Sequence, residues 1–392
     1  MNGALQVSGN RLTLLKNGVE YFPQLCADID AAQRSIHLEI YIFAADQAGR
    51  LVIDALSRAS ARGVAVRVLL DGYGSAELPQ HWVDEMHAAG IEVQWFRRKI
   101  SPLTLRRSRL RRLHRKLVAV DGQIAYVGGI NVTDDIPAGG SLSEPRLDYA
   151  VRVQGPLARE IHASTRHLWA MVSWANFRRR SRLARWRRIR PKPPVGDANI
   201  TFLQRDNVRH RRDIERAYLR AIVGAQREII LANAYFLPGR IFRRALLQAA
   251  RRGVRVILLL QGQVEYRLQH YATHALYDRL LAGGIEIYEY QASYLHAKVA
   301  VVDGEWATVG SSNIDPYSLM LAREANLAVN DTHFACELRA SLLGEIALGA
   351  QRVDPSIWRK QGLWMRLLTR ASYSIVRLMA GLTGYWRGSD SV

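Results

Sequence analysis

The chain has 392 residues, 48% of them hydrophobic, and its 55 Lys and Arg outnumber 35 Asp and Glu for a formal charge of +20. That apolar content can bury one or two large cores, and the charge implies an anionic partner: nucleic acid, an acidic membrane surface or a phosphate-bearing substrate. The two cysteines, Cys26 and Cys336, exclude a disulfide framework and fit a reducing compartment.

The opening Met-Asn-Gly-Ala-Leu-Gln-Val lacks the basic-then-apolar pattern of a signal segment. No apolar run reaches the length of a membrane span, so any membrane association is expected to be peripheral. Residues 11–16 read as a short strand closed by the turn signal Asn17-Gly18. Tyr21, Leu25, Ile29 and Ala32 then recur at helical spacing, and Ser35 to Phe43 is a buried strand. The pattern continues as a helix from about Gln47 to Ala61, a strand over Val64–Asp71, a helix over His81–Ala89 and a strand over Ile91–Phe96. Strands alternating with helices predict an α/β fold whose sheet is mostly parallel (mixed) and flanked by helices on both faces.

Two basic stretches interrupt this rhythm. Residues 97–112 hold seven Arg and a Lys, and 178–190 hold another Arg-rich run followed by Pro191-Lys-Pro-Pro194. Each reads either as a solvated charge run or as a surface where Leu, Trp and Ile dip into lipid while guanidinium groups hold phosphates.

The second half replays the first. Ala32-Gln-Arg-Ser-Ile-His-Leu-Glu-Ile-Tyr-Ile-Phe43 answers to Ala225-Gln-Arg-Glu-Ile-Ile-Leu-Ala-Asn-Ala-Tyr-Phe236, and Arg62-Gly-Val-Ala-Val to Arg252-Gly-Val-Arg-Val. Ala89-Gly-Ile-Glu-Val93 answers to Gly283-Gly-Ile-Glu-Ile287. The chain therefore reads as a duplication. A first lobe is expected over 1–177, a basic proline-rich linker over 178–197, a second lobe over 198–354, and an amphipathic tail over 355–392. In the tail, Trp364, Leu367, Leu368, Ala371, Ile375, Leu378 and Met379 share one helical face. That face suits either docking on the core or lying in a membrane interface, the latter favoured by Trp358, Trp364, Tyr385 and Trp386.

Each half carries the same polar grammar. His114, Lys116 and Asp121 in Leu113-His-Arg-Lys-Leu-Val-Ala-Val-Asp-Gly122 keep the spacing of His296, Lys298 and Asp303 in the second copy. Gly128-Gly129 and Asn131 answer to Gly310-Ser311 and Asn313. Residues two apart on a strand share a face, so imidazole and ammonium are expected to point into one space. Two His and two Lys converging there would form a phosphodiester site. The Lys would supply charge for non-bridging oxygens, the Asn neutral donors, and the small residues Gly129 and Ser311 close backbone approach to the ligand. One His would attack phosphorus and form a phosphohistidine while the other gives and takes a proton. No cluster has metal-ligand spacing, and the lysines provide the charge a metal would, so no metal or other cofactor is expected. Asp121 and Asp303 belong to the catalytic candidates, with bonding to turn amides or to the Lys as their alternative role. Asp148 and Glu324 stand at similar places downstream of each motif and read as the carboxylates that orient the imidazoles. Glu39 answers to Ala232, with Asn233 beside it, so the copies differ there and Glu39 is expected to line the pocket.

The duplicated His-x-Lys-x4-Asp with its Gly and Asn partners resembles the phospholipase D superfamily. Within it the chain is similar to bacterial cardiolipin synthases of the shorter kind without N-terminal membrane spans. Leu70-Asp-Gly-Tyr-Gly-Ser75, Asn233-Ala-Tyr-Phe236 and Ala307-Thr-Val-Gly-Ser-Ser-Asn-Ile-Asp-Pro316 carry this resemblance further, over roughly residues 10 to 350. It implies an active site between the lobes, with His114 attacking phosphatidylglycerol and releasing glycerol, and His296 as acid and base. A second phosphatidylglycerol would then take the phosphatidyl group and give cardiolipin. The expected partners are an anionic phospholipid and the cytoplasmic face of a bacterial membrane, met through 97–112, 178–190 and the tail, with no nucleic acid. A hydrolase of phospholipase D or nuclease type, or a non-catalytic anionic-lipid-binding protein, remains the alternative.

Overall fold

The computed structural model describes residues 6–98, 111–136, 144–176, 193–206, 209–316, 318, 322–359 and 362–382. Most of both basic stretches, together with Tyr385 and Trp386, lies outside the described residues. The first lobe runs β1 (Gln6–Lys16), α1 (Asn17–Asp30), β2 (Ser35–Ile40), α2 (Gln47–Ala61), β3 (Ala65–Asp71), α3 (Gln80–Ala88), β4 (Glu92–Phe96), β5 (Lys116–Val120), β6 (Ile124–Gly128), β7 (Tyr149–Gln154) and α4 (Pro156–Ala175). The second runs β8 (Ala198–Arg205), α5 (Asp213–Gly224), β9 (Glu228–Asn233), α6 (Arg240–Arg251), β10 (Arg255–Gln261), α7 (Arg267–His274), α8 (Tyr277–Ala282), β11 (Glu286–Tyr290), β12 (Lys298–Val302), β13 (Trp306–Gly310), β14 (Glu324–Asn330) and α9 (Thr332–Gly349). β15 (Ala350–Arg352) closes the second lobe beside β11, and the tail adds α10 (Pro355–Arg359) and α11 (Leu363–Leu382).

The duplication is visible in the strand order. One half of the sheet reads β1-β7-β6-β5-β2-β3-β4 and the other β8-β14-β13-β12-β9-β10-β11, joined at β1–β8 into one 15-stranded sheet. Pairing is parallel in β2-β3-β4 and β9-β10-β11, the strands linked by helical crossovers. Elsewhere it is antiparallel, including β2–β5 and β9–β12. The mixed sheet thus has a smaller parallel share than the helix-strand alternation suggested, because the motif strands return through tight turns that permit only antiparallel neighbours.

Local chemistry sets the joints. Asp46 accepts from the Gly49 amide at 2.9 Å to cap α2, and Asp331 accepts from Phe334 at 2.8 Å to cap α9. The β5–β6 and β12–β13 turns place Asp121 (φ 54°) and Asp303 (φ 56°) in the left-handed region, which Asp tolerates better than most residues. Three apolar layers result. One packs α1, α2 and α3 on the first half-sheet, and one packs α5, α6 and α8 on the second. Between them, the inner faces of both half-sheets meet with α4 and α9, through residues such as Val127, Tyr149, Val309 and Leu327. This shared layer brings the two copies of the motif together.

Candidate active site

The segment before each motif leaves its own lobe to pair with the other. Leu113 bridges Arg323 in parallel, with the His114 amide on the Arg323 carbonyl at 3.0 Å and the Arg323 amide on the Arg112 carbonyl at 2.8 Å. Its counterpart is Leu147 beside Leu295, where the His296 amide reaches the Leu147 carbonyl at 2.8 Å. The acceptor at the end of each lobe's third strand, β3 or β10, holds the residue before the His: Asp71 Oδ2 takes the Leu113 amide, and Gln261 Oε1 takes the Leu295 amide, both at 2.7 Å. The histidines therefore precede β5 and β12 rather than standing on them.

This exchange crosses the carboxylates. His114 Nδ1 lies 3.0 Å from each oxygen of Glu324, and His296 Nδ1 lies 2.6 Å from Asp148 Oδ2. Each lobe's imidazole is oriented by the other lobe's acid. With Nδ1–H donated to a carboxylate, the lone pair sits on Nε2, and both rings line one cavity of about 310 Å³ together with Asn131 and Asn313. Lys116 and Lys298 lie behind the rings, buried, each donating Nζ to the carbonyl of the His two residues earlier.

The small residues after each motif serve the carboxylates. A Cβ on Gly129 would come within 2.2 Å of Asp148 Oδ1. Ser311, its counterpart, donates its hydroxyl to Glu324 Oε2 at 2.6 Å. Close backbone approach to a ligand, the role expected of Gly129 and Ser311, gives way to packing against the acids. Asn131 Oδ1 accepts from the Ile42 amide at 3.1 Å, whereas the buried Asn313 Oδ1 has no partner among the described residues.

Electrostatically the cavity is set for an anion. Burial pushes Lys116 down to about 7, helped by Lys298, and pushes Lys298 down to about 8. Burial also lowers His114, and lowers His296 well below the usual imidazole range, with Lys298, Arg146 and Lys116 adding to the effect on His296. Asp148 is raised to about 6 by burial, against the pull of Lys298. Two neutral imidazoles with free Nε2 atoms, backed by cationic side chains, can accept and shuttle protons around a phosphodiester.

Two expectations are corrected. Asp121 and Asp303 are not at the reacting centre: they sit at the far end of five-residue strands, about 17 Å from the lysines at ~3.3 Å per residue. There Asp121 takes the amides of Gln33, Arg34 and Ser35 at 2.8–2.9 Å, and Asp303 those of Gln226, Arg227 and Glu228 at 2.8 Å. Each carboxylate ties its hairpin turn to the start of the neighbouring strand. Glu39 does not line the cavity either; it forms a buried two-point ion pair with Arg115, with Nη2 to Oε1 at 2.8 Å. The second lobe has Ala232 and Ala297 at the matching places, packed in the apolar layer. Both members of the pair are replaced together because either alone would leave a buried charge.

Several cavity residues escaped the sequence reading. Arg112 and Arg146 stand two residues before His114 and Asp148, and that spacing carried the signal for both. Tyr41 packs edge-on against His114 at 4.8 Å and lies under Lys116 Nζ at 5.2 Å; its counterpart is Ala234. Glu265, which accepts from the Tyr235 hydroxyl at 2.6 Å, comes from the β10–α7 loop, where no motif marked it.

Comparison with known proteins finds one family across both lobes. The family model described as "Cardiolipin synthase, PLD-like domain" fits residues 25–169 and 218–343, one segment per lobe. Cardiolipin synthase B of Escherichia coli (strain K12) is 39% identical over 381 residues, spanning 96% of this chain and 90% of that protein. Cardiolipin synthase A of Salmonella paratyphi B is 30% identical over 390 residues, spanning 95% and 76%. The crystal structure of phosphatidylserine synthase from Haemophilus influenzae Rd KW20 superposes with a TM-score of 0.65 over 94% of this chain and 93% of that one, at 11% identity, a likeness of fold. With both lobes matched by one family model and relatives aligned along nearly the whole chain, the protein belongs to the cardiolipin synthase family of phospholipase D-like enzymes.

Proposed function

We propose that the enzyme makes cardiolipin and glycerol from two molecules of phosphatidylglycerol through a phosphatidyl-histidine intermediate. The observation that carries this is the crossed pair, His114 on Glu324 and His296 on Asp148, with both rings on one cavity. His114 Nε2 attacks phosphorus, and His296, protonated once the anion is bound, gives its proton to the departing glycerol oxygen. The hydroxyl of the second phosphatidylglycerol then returns a proton to His296 as its oxygen attacks phosphorus and the P–N bond breaks. Burial pushes both rings in the same direction, so the choice of His114 as nucleophile rests on the family resemblance. Lys116, Lys298, Arg112 and Arg146 offset the phosphate charge. The substrate, the acceptor and the exclusion of nucleic acid belong to the same reading, as does a peripheral place on the cytoplasmic face of the membrane.

Membrane contact through α11 has its own support. Trp364 (77% exposed), Leu367, Ile375, Leu378 and Met379 face outward, while Thr369, Ser372 and Val376 are buried. The helix docks by a narrow small-residue stripe and leaves its apolar stripe to an interface. Among the described residues no helix is long and apolar enough to cross a membrane. Supplying the protein with phosphatidylglycerol vesicles and measuring products tests the reaction. Cardiolipin with equimolar glycerol is expected, and none from His114→Ala or His296→Ala. Phosphatidic acid as the main product would replace the transferase reading with a hydrolase.

A further inference from the structure

The two copies furnish the catalytic cavity unequally. In the first lobe Tyr41 and Ile42 line it, and Ser75, four residues after Asp71, turns inward to give its hydroxyl to the Tyr41 carbonyl at 2.9 Å. In the second lobe Ala234 and Tyr235 stand at the matching places, and Glu265, four residues after Gln261, takes the position of Ser75 but lines the cavity. Gln261 holds the Leu295 amide, so this loop belongs to the half of the cavity that presents His296. A carboxylate there opposes the binding of a phosphodiester, and a contact with another part of the substrate would offset that. Asp315, the other acid of the lining, is buried and takes the Ser318 amide at 3.1 Å. Glu265 is exposed, forms no ion pair with the described residues, and accepts only the Tyr235 hydroxyl, at 2.6 Å on Oε2. Burial and the neighbouring carboxylate raise the Tyr235 phenol, which keeps it a donor and leaves Oε1 as an acceptor for a ligand. A second acceptor follows on the same wall: Gln269 Oε1 is buried without a partner among the described residues.

Resting on the phosphatidylglycerol reading above, we propose that Glu265 and Gln269, with Tyr235 holding the carboxylate, form a hydroxyl-recognition subsite that selects a glycerol headgroup. The middle hydroxyl of that headgroup, beside the carbon that bears the departing oxygen, donates to Glu265 or Gln269 while His296 protonates the leaving group. The same contact holds the second phosphatidylglycerol with its terminal hydroxyl free to attack. Hydrogen bonds to a charged acceptor are the stronger kind, and a site built to bind a hydroxyl discriminates against a substrate that lacks it. A cationic headgroup suits the subsite less, because Arg112 and Arg146 line the same cavity and two lysines lie behind its rings.

The test gives the full chain vesicles of phosphatidylglycerol, of phosphatidylethanolamine, or of phosphatidyl-propanediol, whose headgroup keeps the terminal hydroxyl and lacks the middle one. Release of the headgroup is measured, since transfer and hydrolysis both produce it. The parent should favour phosphatidylglycerol over phosphatidyl-propanediol by about tenfold or more in kcat/KM, the scale of a hydrogen bond to a charged group. In Glu265→Ala that ratio should fall to about threefold or less, because the glycerol lipid loses more than its analogue. A structural or purely electrostatic role would move both lipids together, so an unchanged ratio would overturn the proposal. Faster release of ethanolamine than of glycerol by the parent, with that preference lost in Glu265→Ala, would assign the carboxylate to an ammonium and also overturn it. Phosphatidic acid in place of cardiolipin would sink the transferase reading while the ratio still decides the subsite. No release of any headgroup by the parent would refute the phosphatidylglycerol reading and the subsite with it. Glu265 is exposed, so parent and variant should melt at the same temperature.

Discussion

Replacing Glu324 by Gln changes one atom in the arrangement that spans the lobes. Glu324 is fully buried, both its oxygens lie 3.0 Å from His114 Nδ1, and Oε2 also takes the Ser311 hydroxyl at 2.6 Å. The amide keeps the volume but has one oxygen for two donors. If Ser311 holds that oxygen, the NH2 faces Nδ1 and the ring proton moves to Nε2, the nitrogen that must attack phosphorus. Losing a hydrogen bond to a charged group weighs about 1.5–3 kcal/mol, roughly 10- to 150-fold in rate. The inverted tautomer adds to this, so kcat should fall by about 10²–10⁴. Asp148→Asn, acting on His296, should fall in the same range. The assay is the initial rate of cardiolipin formation from phosphatidylglycerol vesicles, with vesicle binding and melting temperature measured alongside. A Glu324→Gln enzyme within about threefold of the parent in kcat would refute the orienting role.

Other consequences follow from the same geometry. Asp121→Asn, which weakens a clasp on three backbone amides, should cost about 1–3 kcal/mol of stability in urea denaturation and leave kcat unchanged; a collapse of kcat in protein that stays folded would return Asp121 to the chemistry. Arg115→Ala strands a buried carboxylate and should cost about 3–5 kcal/mol. Arg115→Ala/Glu39→Gln should recover part of that loss, and an equal or larger loss would contradict the pairing. In the empty cavity Lys116 and Lys298 lose their protons near about 7 and 8, and a bound phosphodiester restores them. Binding of a short-chain phosphatidylglycerol should therefore take up protons, with affinity falling as pH rises through these values. Calorimetry in buffers of different ionisation heat, one unit below the lower value and one above the higher, checks the sign; proton release would contradict it.

The duplication, the alternating strands and the pairing of imidazole with ammonium were legible because each rests on local spacing. Asp148 and Glu324 were readable as orienting acids, since a carboxylate opening an apolar strand needs a partner. Their crossing was not, because it depends on Leu113 and Leu147 pairing with the opposite lobe, contacts between residues 210 and 148 positions apart. Glu39 misled for a related reason. A charge opposite Ala232 in the repeat has the look of a functional group, but Arg115, the residue between His114 and Lys116 just before β5, neutralises it. The outward apolar stripe of α11 could not be told from a core-facing one by period alone, since helix spacing fixes a face and not what covers it.

The most direct measurement is the site of the covalent intermediate. Protein given phosphatidylglycerol with labelled phosphorus and quenched within one turnover under alkaline conditions, which spare a phosphoramidate, can be digested and its peptides weighed. One phosphatidyl group per chain on the peptide holding His114, and none in His114→Ala, is the expected result. Label on a residue other than the two histidines, or cardiolipin formed at the parent rate by His114→Ala, would contradict a phosphodiester gripped between one imidazole from each lobe.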